Sequence, residues 1–358
     1  MPCVRLPWIV LLSVLTACAA EPPPVAPPPP PPPAPAPVAV TPQPTETVSP
    51  PPAEPTPEEK KKAEEARQLN EERAKWEDQN KAELARWTPE THAQAKALAE
   101  KTFTSGKAAI QAAMKGKHRT PGNAERDKYR HPAETLDYFG FKPTMTVLDI
   151  GPGEGWYTEL LAPALAKSGQ YVATTNDPSG PPDLRPTFYG QRFKAFLDRA
   201  PELYGKVQTV VVDPKAPKIG KEGVFDMVLI MRGVHGMKNN GTLDAWLAEI
   251  HAALKPGGVL GIEEHRAAPS ADATESAKKG YVPEKWLVEQ VESAGFKLAG
   301  KSEINANAKD TKDYPEGVWS LPPTFREGDK DREKYAAIGE SDRMTLKFVR
   351  AASKSAAK

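Results

Sequence analysis

From residue 124 onward, short apolar runs alternate with longer segments in which apolar and polar residues recur at helical spacing. Apolar runs of this length, bounded by polar or glycine-containing turns, predict buried strands. The predicted strands lie at 146–150, 171–175, 207–212, 227–231, 259–263, 296–304 and 344–349, and the helices between them include 156–166 and 242–254. This alternation predicts an α/β fold with a doubly wound, mostly parallel sheet of seven strands. Ligands of such sheets bind at the carboxyl ends of the strands.

The N-terminal pattern is that of an export signal. A basic residue precedes the apolar run 6–16, which is shorter than the roughly 20 residues that span a bilayer. The run ends in "LTAC" at 15–18, which resembles a bacterial lipobox. The resemblance implies a signal peptide at 1–17 and diacylation of Cys18. With Ala19 next, it implies a lipoprotein anchored in the outer membrane and facing the periplasm. The alternative is an uncleaved apolar start with an accidental cysteine.

A proline-rich tract follows the cysteine. Residues 21–57 contain 19 of the 40 prolines in the chain. Such a tract extends as a semi-rigid spacer of roughly 3.1 Å per residue. The sequence therefore predicts a disordered, lipid-anchored linker over 18–57.

Charged, helix-forming residues separate this linker from the strand–helix region. They dominate 58–87, whereas 90–117 is rich in alanine, and the two segments predict two helices. We interpret 58–118 as a solvated helical stalk, with a coiled coil or a partner-binding helix as the alternative. The remaining domains are then a folded domain at 119–350 and a disordered tail at 351–358.

Charge and cysteine content exclude two classes of site. The chain has 48 basic and 47 acidic residues, so no overall positive field favours nucleic acid as a partner. Cys3 and Cys18 are the only cysteines. They provide neither a disulfide framework nor a thiolate metal site within the folded domain.

The loop after the first predicted strand carries three glycines at alternate positions, Gly151, Gly153 and Gly155. This spacing is one residue shorter than the dinucleotide motif G-x-G-x-x-G. Asp149 ends the strand, and a pyrophosphate on the next helix would face its carboxylate at close range. Asp177 follows the second strand, where an acid accepts hydrogen bonds from ribose hydroxyls. The pattern favours a nucleoside ligand with an ammonium and a sulfonium over a nicotinamide or other nucleotide cofactor.

Three motifs together resemble those of class I S-adenosylmethionine-dependent methyltransferases. They are "LDIGPGEG" at 148–155, "VFDMVLIMRGVH" at 224–235 and "LAEIHAALKPGGVLGIEEH" at 247–265. Over roughly 119–350 the chain also resembles a family of bacterial predicted methyltransferases. The resemblance implies a Rossmann-like methyltransferase fold, S-adenosylmethionine as cofactor, and methyl transfer to an acceptor that the motifs do not identify. We expect that acceptor to be a small molecule.

The resemblance also implies a set of cofactor-binding residues. They are Asp149, Gly151, Gly153, Gly155, Asn176, Asp177 and Asp213. In this interpretation Asp149 orients the loop or the methionine ammonium, and the glycines let the backbone approach the cofactor. Asp177 holds the ribose, with Asn176 as a second candidate, and Asp213 reaches the adenine. For the acids, the alternative is strand-end capping and hydrogen bonding within loops.

Candidates for acid–base chemistry follow the fourth and fifth predicted strands. Displacement at a sulfonium demands proximity and alignment, and it needs a base only if the acceptor must lose a proton. The candidates are His235, Glu263 and His265, with a loop-bonding histidine as the alternative for His235. Acid and imidazole in "EEHR" are metal-ligand types, but no further ligand stands at a recognisable spacing, so no metal is predicted. Residues 129–131 and 305–341 are expected to close the pocket.

The two ends of the chain indicate different compartments, because S-adenosylmethionine is a cytoplasmic metabolite whereas the N-terminus indicates export. Three interpretations remain. The protein is an active methyltransferase, and either the signal is misleading or cofactor reaches it. It is a membrane-tethered envelope protein that uses the fold as a non-catalytic binding or scaffold module. Or it is a nicotinamide or other nucleotide enzyme, which Asp149 and the glycine spacing disfavour. The intact glycine loop favours the methyltransferase.

Overall fold

The computed structural model of the protein describes residues 27, 30 and 56–351. The predicted signal peptide, Cys18 and almost all of the proline-rich linker lie outside the described residues, as does the chain from 352. Among the helices of the described part, none combines the length and the apolar character needed to cross a membrane. The described residues 56–351 belong to one compact unit, so the charged helices and the sheet belong to the same body.

One sheet of seven strands organises this unit. The strands are β1 Thr146–Ile150, β2 Gln170–Thr175, β3 Gln208–Val211, β4 Phe225–Met231, β5 Leu254–His265, β6 Phe296–Ser302 and β7 Arg343–Arg350. Their order across the sheet is β3-β2-β1-β4-β5-β7-β6. The first five strands pair in parallel, and β7 runs antiparallel to both β5 and β6. The predicted doubly wound, mostly parallel seven-stranded sheet is confirmed.

The predicted strand bounds agree with the observed ones to within two residues, except at the start of β5. That strand begins at Leu254 and contains the "KPGG" turn, which was predicted to precede it. A register shift makes this possible: Phe225 pairs with Leu254, whereas Met227 pairs with Val259. Gly257 within the turn has a positive φ of 76°, a conformation that glycine adopts without steric cost.

Helices cover both faces of the sheet. They are α1 Pro57–Ala85, α2 Pro89–Ala99, α3 Gly106–Met114, α4 Asp127–Arg130, α5 Pro132–Phe139, α6 Thr158–Leu165, α7 Arg185–Asp198, α8 Pro201–Tyr204, α9 Val234–Asn239, α10 Leu243–Ala253, α11 Ala273–Lys278, α12 Glu284–Ser293 and α13 Arg332–Ile338. Successive residues of β1 enter opposite cores: Val147 joins one apolar cluster and Leu148 the other. Burial on both faces explains why the central strands are almost entirely apolar.

The predicted helix over 90–117 is wrong in one respect, because the structure divides it. Helix α2 ends at Ala99 and α3 begins at Gly106 with Ser105 as its N-cap. The interrupting residues, "EKTFTS", include threonines and a phenylalanine, which are weak helix formers. A Cβ atom on Gly106 would lie 2.1 Å from the carbonyl oxygen of Phe141, so contact with the domain determines where α3 begins.

The predicted solvated stalk also needs correction. The first part of α1 is exposed, but Leu69 is only 4% exposed. The Trp76 ring packs edge-on against Phe188 of α7, with centroids 5.7 Å apart. Glu72 forms an ion pair with Arg185 at the start of α7. The C-terminal part of α1 is therefore packed onto the domain, and that packing positions it at the site described next.

Candidate functional site

A cavity of about 960 Å³ opens at the carboxyl ends of β1, β2, β3 and β4. The strand ends contribute residues 150–154, 174–176 and 231–233, together with Val212 and Pro214. This is the place at which parallel sheets of this kind bind their ligands. A volume near 1,000 Å³ is at the upper end of small-molecule sites.

Helices that lie outside the strand-end loops form the rest of the cavity. Helix α1 contributes Trp76, Gln79, Asn80, Ala82, Glu83 and Arg86. Helix α7 and its C-cap contribute Tyr189, Arg192, Phe193, Phe196 and Arg199. The sequence interpretation missed α1 completely as part of the site. No local signal in its sequence reports the contact, which depends on how α1 packs against α7.

The glycine loop is open towards the cavity at two of its three glycines. Gly151 and Gly153 have φ values of 67° and 60°, and a Cβ atom added to either would meet nothing within 4 Å. These glycines adopt a backbone conformation that other residues rarely adopt, and they leave free space beside it. The Gly151 N–H donates to Thr174 Oγ1 at 2.8 Å, which joins the loop to β2.

Gly155 has a different role. A Cβ atom there would lie 2.8 Å from the Phe196 ring of α7, and its φ of 85° is also in the left-handed region. This glycine permits close packing of the loop against α7. The structure therefore places Gly151 and Gly153 on the cavity, whereas Gly155 supports it.

Asp149 faces the protein interior. It is 1% exposed, does not line the cavity, and accepts a hydrogen bond from Tyr171 Oη at 2.8 Å. Tyr171 Oη also lies 3.0 Å from Thr158 Oγ1 of α6. Burial raises the pKa of Asp149 to about 6, while the bond from Tyr171 opposes that rise. Asp149 thus fixes β1 to β2 and α6 beneath the loop and makes no contact with the cavity.

The three cofactor-binding candidates that follow β2 and β3 also differ in whether they line the cavity. Asn176 lines the cavity. Asp177 is exposed and accepts a hydrogen bond from the Ser179 N–H at 2.8 Å. Asp213 is exposed and accepts one from the Lys215 N–H at 2.9 Å. Both aspartates cap turns at strand ends, the alternative that the sequence left open, and neither lines the cavity.

The three acid–base candidates also lie away from the cavity lining. Gly233, Gly236 and Met237 line it, whereas the His235 ring lies 5.9 Å from Trp319 and 5.6 Å from His265. In α9, a residue next to Gly236 projects from a different face of the helix. The His235 ring is therefore directed at Trp319 and His265 and not at the cavity.

Glu264 organises the histidine cluster. Its carboxylate accepts hydrogen bonds from the backbone N–H of Val234, at 2.6 Å, and from that of His235, at 3.2 Å, and it contacts His235 Nδ1 at 3.0 Å. Burial by itself lowers the pKa of His235, but the Glu264 carboxylate outweighs burial, so that pKa is raised. Burial and the neighbouring cations lower the pKa of His265 well below its usual value.

His235, Glu264 and His265 offer three ligand atoms within 4.8 Å of one another. Sequence spacing did not show this proximity, because His235 follows β4 whereas the other two end β5. Glu264 is nevertheless saturated by its hydrogen bonds, and His265 Nδ1 contacts Ser341 Oγ at 2.5 Å. These hydrogen bonds occupy the Glu264 carboxylate and the Nδ1 atoms of both histidines.

Glu263 is fully buried and structural. It accepts a hydrogen bond from Tyr157 Oη at 3.0 Å and two from Arg232 Nη1 at 3.2 Å. Arg343 Nε lies 3.1 Å from it in an ion pair that lacks hydrogen-bond alignment. A carboxylate with these partners is not free to move a proton. The residue of this group that reaches the cavity is Arg232, whose role the fourth-strand motif did not indicate.

The two segments expected to close the pocket are tied elsewhere. None of residues 129–131 or 305–341 lines the cavity. Arg130 forms a buried ion pair with Glu340 at 3.0 Å, and Tyr314 packs edge-on against Tyr335. These contacts fasten the two segments to each other and to the β5–β7 side of the sheet.

Comparison with known proteins agrees with this geometry. Residues 124–299 match a family model described as a methyltransferase domain, and a search of curated proteins finds no match. The matched segment includes β1–β5 and most of β6, and therefore all the strand ends that line the cavity. The strand order is that of the Rossmann-like methyltransferase fold, and the cofactor of such a domain is S-adenosylmethionine.

Several solved structures are similar at low identity. A methyltransferase from Aquifex aeolicus, described as S-adenosylmethionine-dependent, is 17% identical, with 70% of this chain and 100% of that chain covered and a TM-score of 0.42. A 1,6-didemethyltoxoflavin-N1-methyltransferase from Burkholderia thailandensis with bound S-adenosylhomocysteine is 17% identical. The match covers 68% of this chain and 79% of that chain, with a TM-score of 0.38. The cyclase SpnF is 20% identical. The match covers 62% of this chain and 80% of that chain, with a TM-score of 0.43.

Proposed function

We propose that this protein is a methyltransferase that uses S-adenosylmethionine and acts on a small-molecule acceptor. The observation that carries the proposal is the open cradle at Gly151 and Gly153, at the head of a 960 Å³ cavity. A methyltransferase-domain match spans the strands that form it.

The residues of the cavity fit such a cofactor. Gly151 and Gly153 leave room for its amino-acid and ribose portions, and Asn176 offers amide donors and an acceptor to the ribose. Val212 and Pro214 at the end of β3 provide apolar contact for a flat base. When bound, the cofactor supplies a methyl group on a sulfonium.

The protein's contribution to the reaction is position and exclusion of water. An in-line displacement needs the acceptor atom held against the methyl group, and correct placement lowers the barrier strongly. Trp76, Phe193 and Phe196 provide apolar walls for that purpose. The titratable carboxylates in the lining, Glu83 and Glu154, are paired with arginines. We therefore assign no general base and expect an acceptor whose attacking atom carries a free lone pair.

Calorimetric titration of the full chain, purified in mild detergent, tests the cofactor. We expect saturable binding of S-adenosylhomocysteine and none of NADH. A folded chain that binds neither nucleoside contradicts the proposal and favours the non-catalytic scaffold. That second function is suggested by the export-type N-terminus and by Asp177 and Asp213, whose carboxylates cap turns away from the cavity.

We also propose that Cys18 carries a lipid and anchors the chain to a membrane, with the outer membrane facing the periplasm as its location. The support is the "LTAC" motif after an apolar run. Labelled palmitate fed to the producing cells is expected to enter the wild-type chain and not the Cys18→Ser variant. Equal incorporation of the label into both chains would contradict the proposed lipid anchor at Cys18.

A further inference from the structure

Arg232 is the guanidinium group that the end of β4 brings to the cavity. It follows the last residue of β4 and lines the cavity beside Gly233. Its side chain is 16% exposed, and Nη1 donates to both carboxylate oxygens of Glu263 at 3.2 Å. Nε and Nη2 carry the other N–H donors. Within the described part of the chain, no residue accepts a hydrogen bond from them, so they are available to a ligand.

The backbone of Arg232 is strained. Its φ of 60° lies in the left-handed region, which costs a residue with a Cβ atom roughly 1–2 kcal/mol. Glycine would take this conformation freely. The Arg232 N–H donates to the Glu263 carbonyl at 2.6 Å, and this bond and the ion pair hold the conformation. Strain of this kind concentrates at functional sites, and here its consequence is the direction of the side chain.

The other arginines of the lining are engaged with carboxylates. Arg86 donates two hydrogen bonds to Glu83 at 2.8 Å, and Arg199 Nη1 lies 3.7 Å from the same carboxylate. Arg192 forms an ion pair with Glu154. The Arg199–Glu83 pair joins α1 to α7, and the Arg192–Glu154 pair joins α7 to the glycine loop. These guanidinium groups therefore hold the walls of the cavity together, although Arg192 donates only from Nη2, and Arg199 Nε is buried without a partner among the described residues.

The charge of the lining favours an anion. Among the described residues that line the cavity, Arg232 and the three engaged arginines accompany two glutamates, Glu83 and Glu154, and there is no lysine or aspartate. The carboxylate that contacts Arg232, Glu263, lies outside the lining and also contacts Arg343. Arg343 also pairs with Glu340 at 2.7 Å, so the charges behind the wall are matched. The excess of positive charge is that of the lining itself, in which four arginines accompany two glutamates.

We propose that Arg232 binds a carboxylate or another oxyanion of a ligand in this cavity. The proposal rests on the proposed methyltransferase function, in which two ligands supply that chemistry: the methionine carboxylate of the cofactor and an acidic group on the acceptor. Arginine suits this task because its planar fork presents N–H groups to two oxygens at once. Lysine retains the charge but loses the paired geometry.

Calorimetry on the full chain distinguishes the two sources. The first titration compares S-adenosylmethionine with its decarboxylated analogue, which retains the sulfonium and the ammonium. The second adds inorganic phosphate to protein saturated with S-adenosylhomocysteine. Each is repeated on Arg232→Asn, because asparagine is neutral and tolerates left-handed backbone, and on Arg232→Lys. Arg326→Gln, an exposed arginine beside Glu316 and outside the cavity lining, is the control.

If the cofactor carboxylate is the ligand, the wild type binds S-adenosylmethionine about tenfold or more tightly than the decarboxylated analogue. Arg232→Asn then removes that preference. If the acceptor supplies the anion, both cofactor forms bind alike, and saturable phosphate binding disappears in Arg232→Asn. Arg232→Lys is intermediate in either case, and Arg326→Gln matches the wild type.

Two results overturn the inference. One is an Arg232→Asn variant that equals the wild type in both titrations. The other is an equal loss of both cofactor forms with unchanged phosphate binding, which makes Arg232 a structural residue. If Arg232→Asn fails to fold, as judged by thermal unfolding, the comparison is made with Arg232→Lys. A wild-type chain that binds no cofactor but binds phosphate through Arg232 refutes the proposed function and not this inference.

Discussion

Tyr171 Oη donates a hydrogen bond of 2.8 Å to Asp149 Oδ2, and this contact turns the acid of the glycine motif into the protein core. Both residues are almost completely buried. The carboxylate therefore joins β1 to β2 below the loop, and the cavity lining includes the loop and not the acid.

The first prediction concerns the pH dependence that this burial creates. Because the pKa of Asp149 is raised to about 6 from 3.8, the folded state binds a proton that the unfolded state has released between these values. Stability therefore falls as pH rises from about 4 to about 6. Asp149→Asn should remove this loss. As the pH rises between those values, the free energy of unfolding of the variant should come to exceed that of the wild type by on the order of 1–3 kcal/mol. Urea unfolding at pH 4 and pH 7 measures the difference, and a pH-independent difference would contradict it.

The second prediction separates the backbone role of a loop glycine from its ligand role. Gly153→Ala costs roughly 1–2 kcal/mol, since its φ is 60° and an L-residue is strained there. The added methyl group also enters open space that the cofactor needs. Gly220→Ala is the matched control, with a φ of 66° and equally open surroundings outside the cavity lining.

We expect both alanine variants to melt at similarly lowered temperatures, whereas only Gly153→Ala loses affinity for S-adenosylhomocysteine. Thermal unfolding and calorimetry give the two quantities. Equal affinity in the two variants would place the cofactor away from the loop.

The third prediction tests α1 as a wall of the site. Trp76 lines the cavity and packs against Phe188. Trp76→Ala should cost on the order of 1–3 kcal/mol, which is less than the loss of a fully buried aromatic residue, and should weaken ligand binding. Leu84→Ala on the same helix, where the side chain is 49% exposed, should change neither. If Trp76→Ala has wild-type stability and affinity, α1 does not pack on the domain in solution.

The fourth prediction concerns the histidine that Glu264 holds. The pKa of His235 is raised because Glu264 outweighs burial. The resulting stabilisation is fully present below the ordinary histidine pKa of about 6.5 and is lost as pH rises through the raised value. Glu264→Gln should lower the His235 pKa, which NMR titration of labelled histidine reports.

His251, whose pKa is lowered by burial and which packs edge-on against Phe296, serves as an internal reference in the same spectra. Its pKa should be unchanged by Glu264→Gln. A His235 pKa that does not fall in the variant would show that Glu264 is not its main charge partner.

Local sequence patterns were enough to predict the sheet and the position of the ligand site. A strand buried on both faces must be apolar along its length, so the central strands β1, β2 and β4 were visible as short apolar runs. The loop at Gly151 and Gly153 was visible because left-handed backbone without a Cβ atom requires glycine whatever packs nearby. The order of strands and loops along the chain then placed a ligand site at the strand ends.

Tertiary structure decided which side chains reach that site. Asp149, Asp177 and Asp213 stand where the motif suggested, but hydrogen bonds to Tyr171, Ser179 and Lys215 direct them away from the cavity. An acid at a strand end either faces a ligand or caps a turn. Which of these it does depends on hydrogen-bond partners that are distant in sequence or that come into reach only when the backbone turns, and residue spacing does not reveal them.

The same limit applies to Trp76 and Arg232. Trp76 reaches the cavity because α1 folds back onto α7, a contact between residues more than a hundred positions apart. Arg232 reaches it because a left-handed backbone, held by Glu263 from the next strand, aims its side chain. The sequence by itself determined the sheet and the glycine loop, since these depend on local backbone and burial patterns. The walls and charges of the cavity depend on long-range packing, which only the folded chain defines.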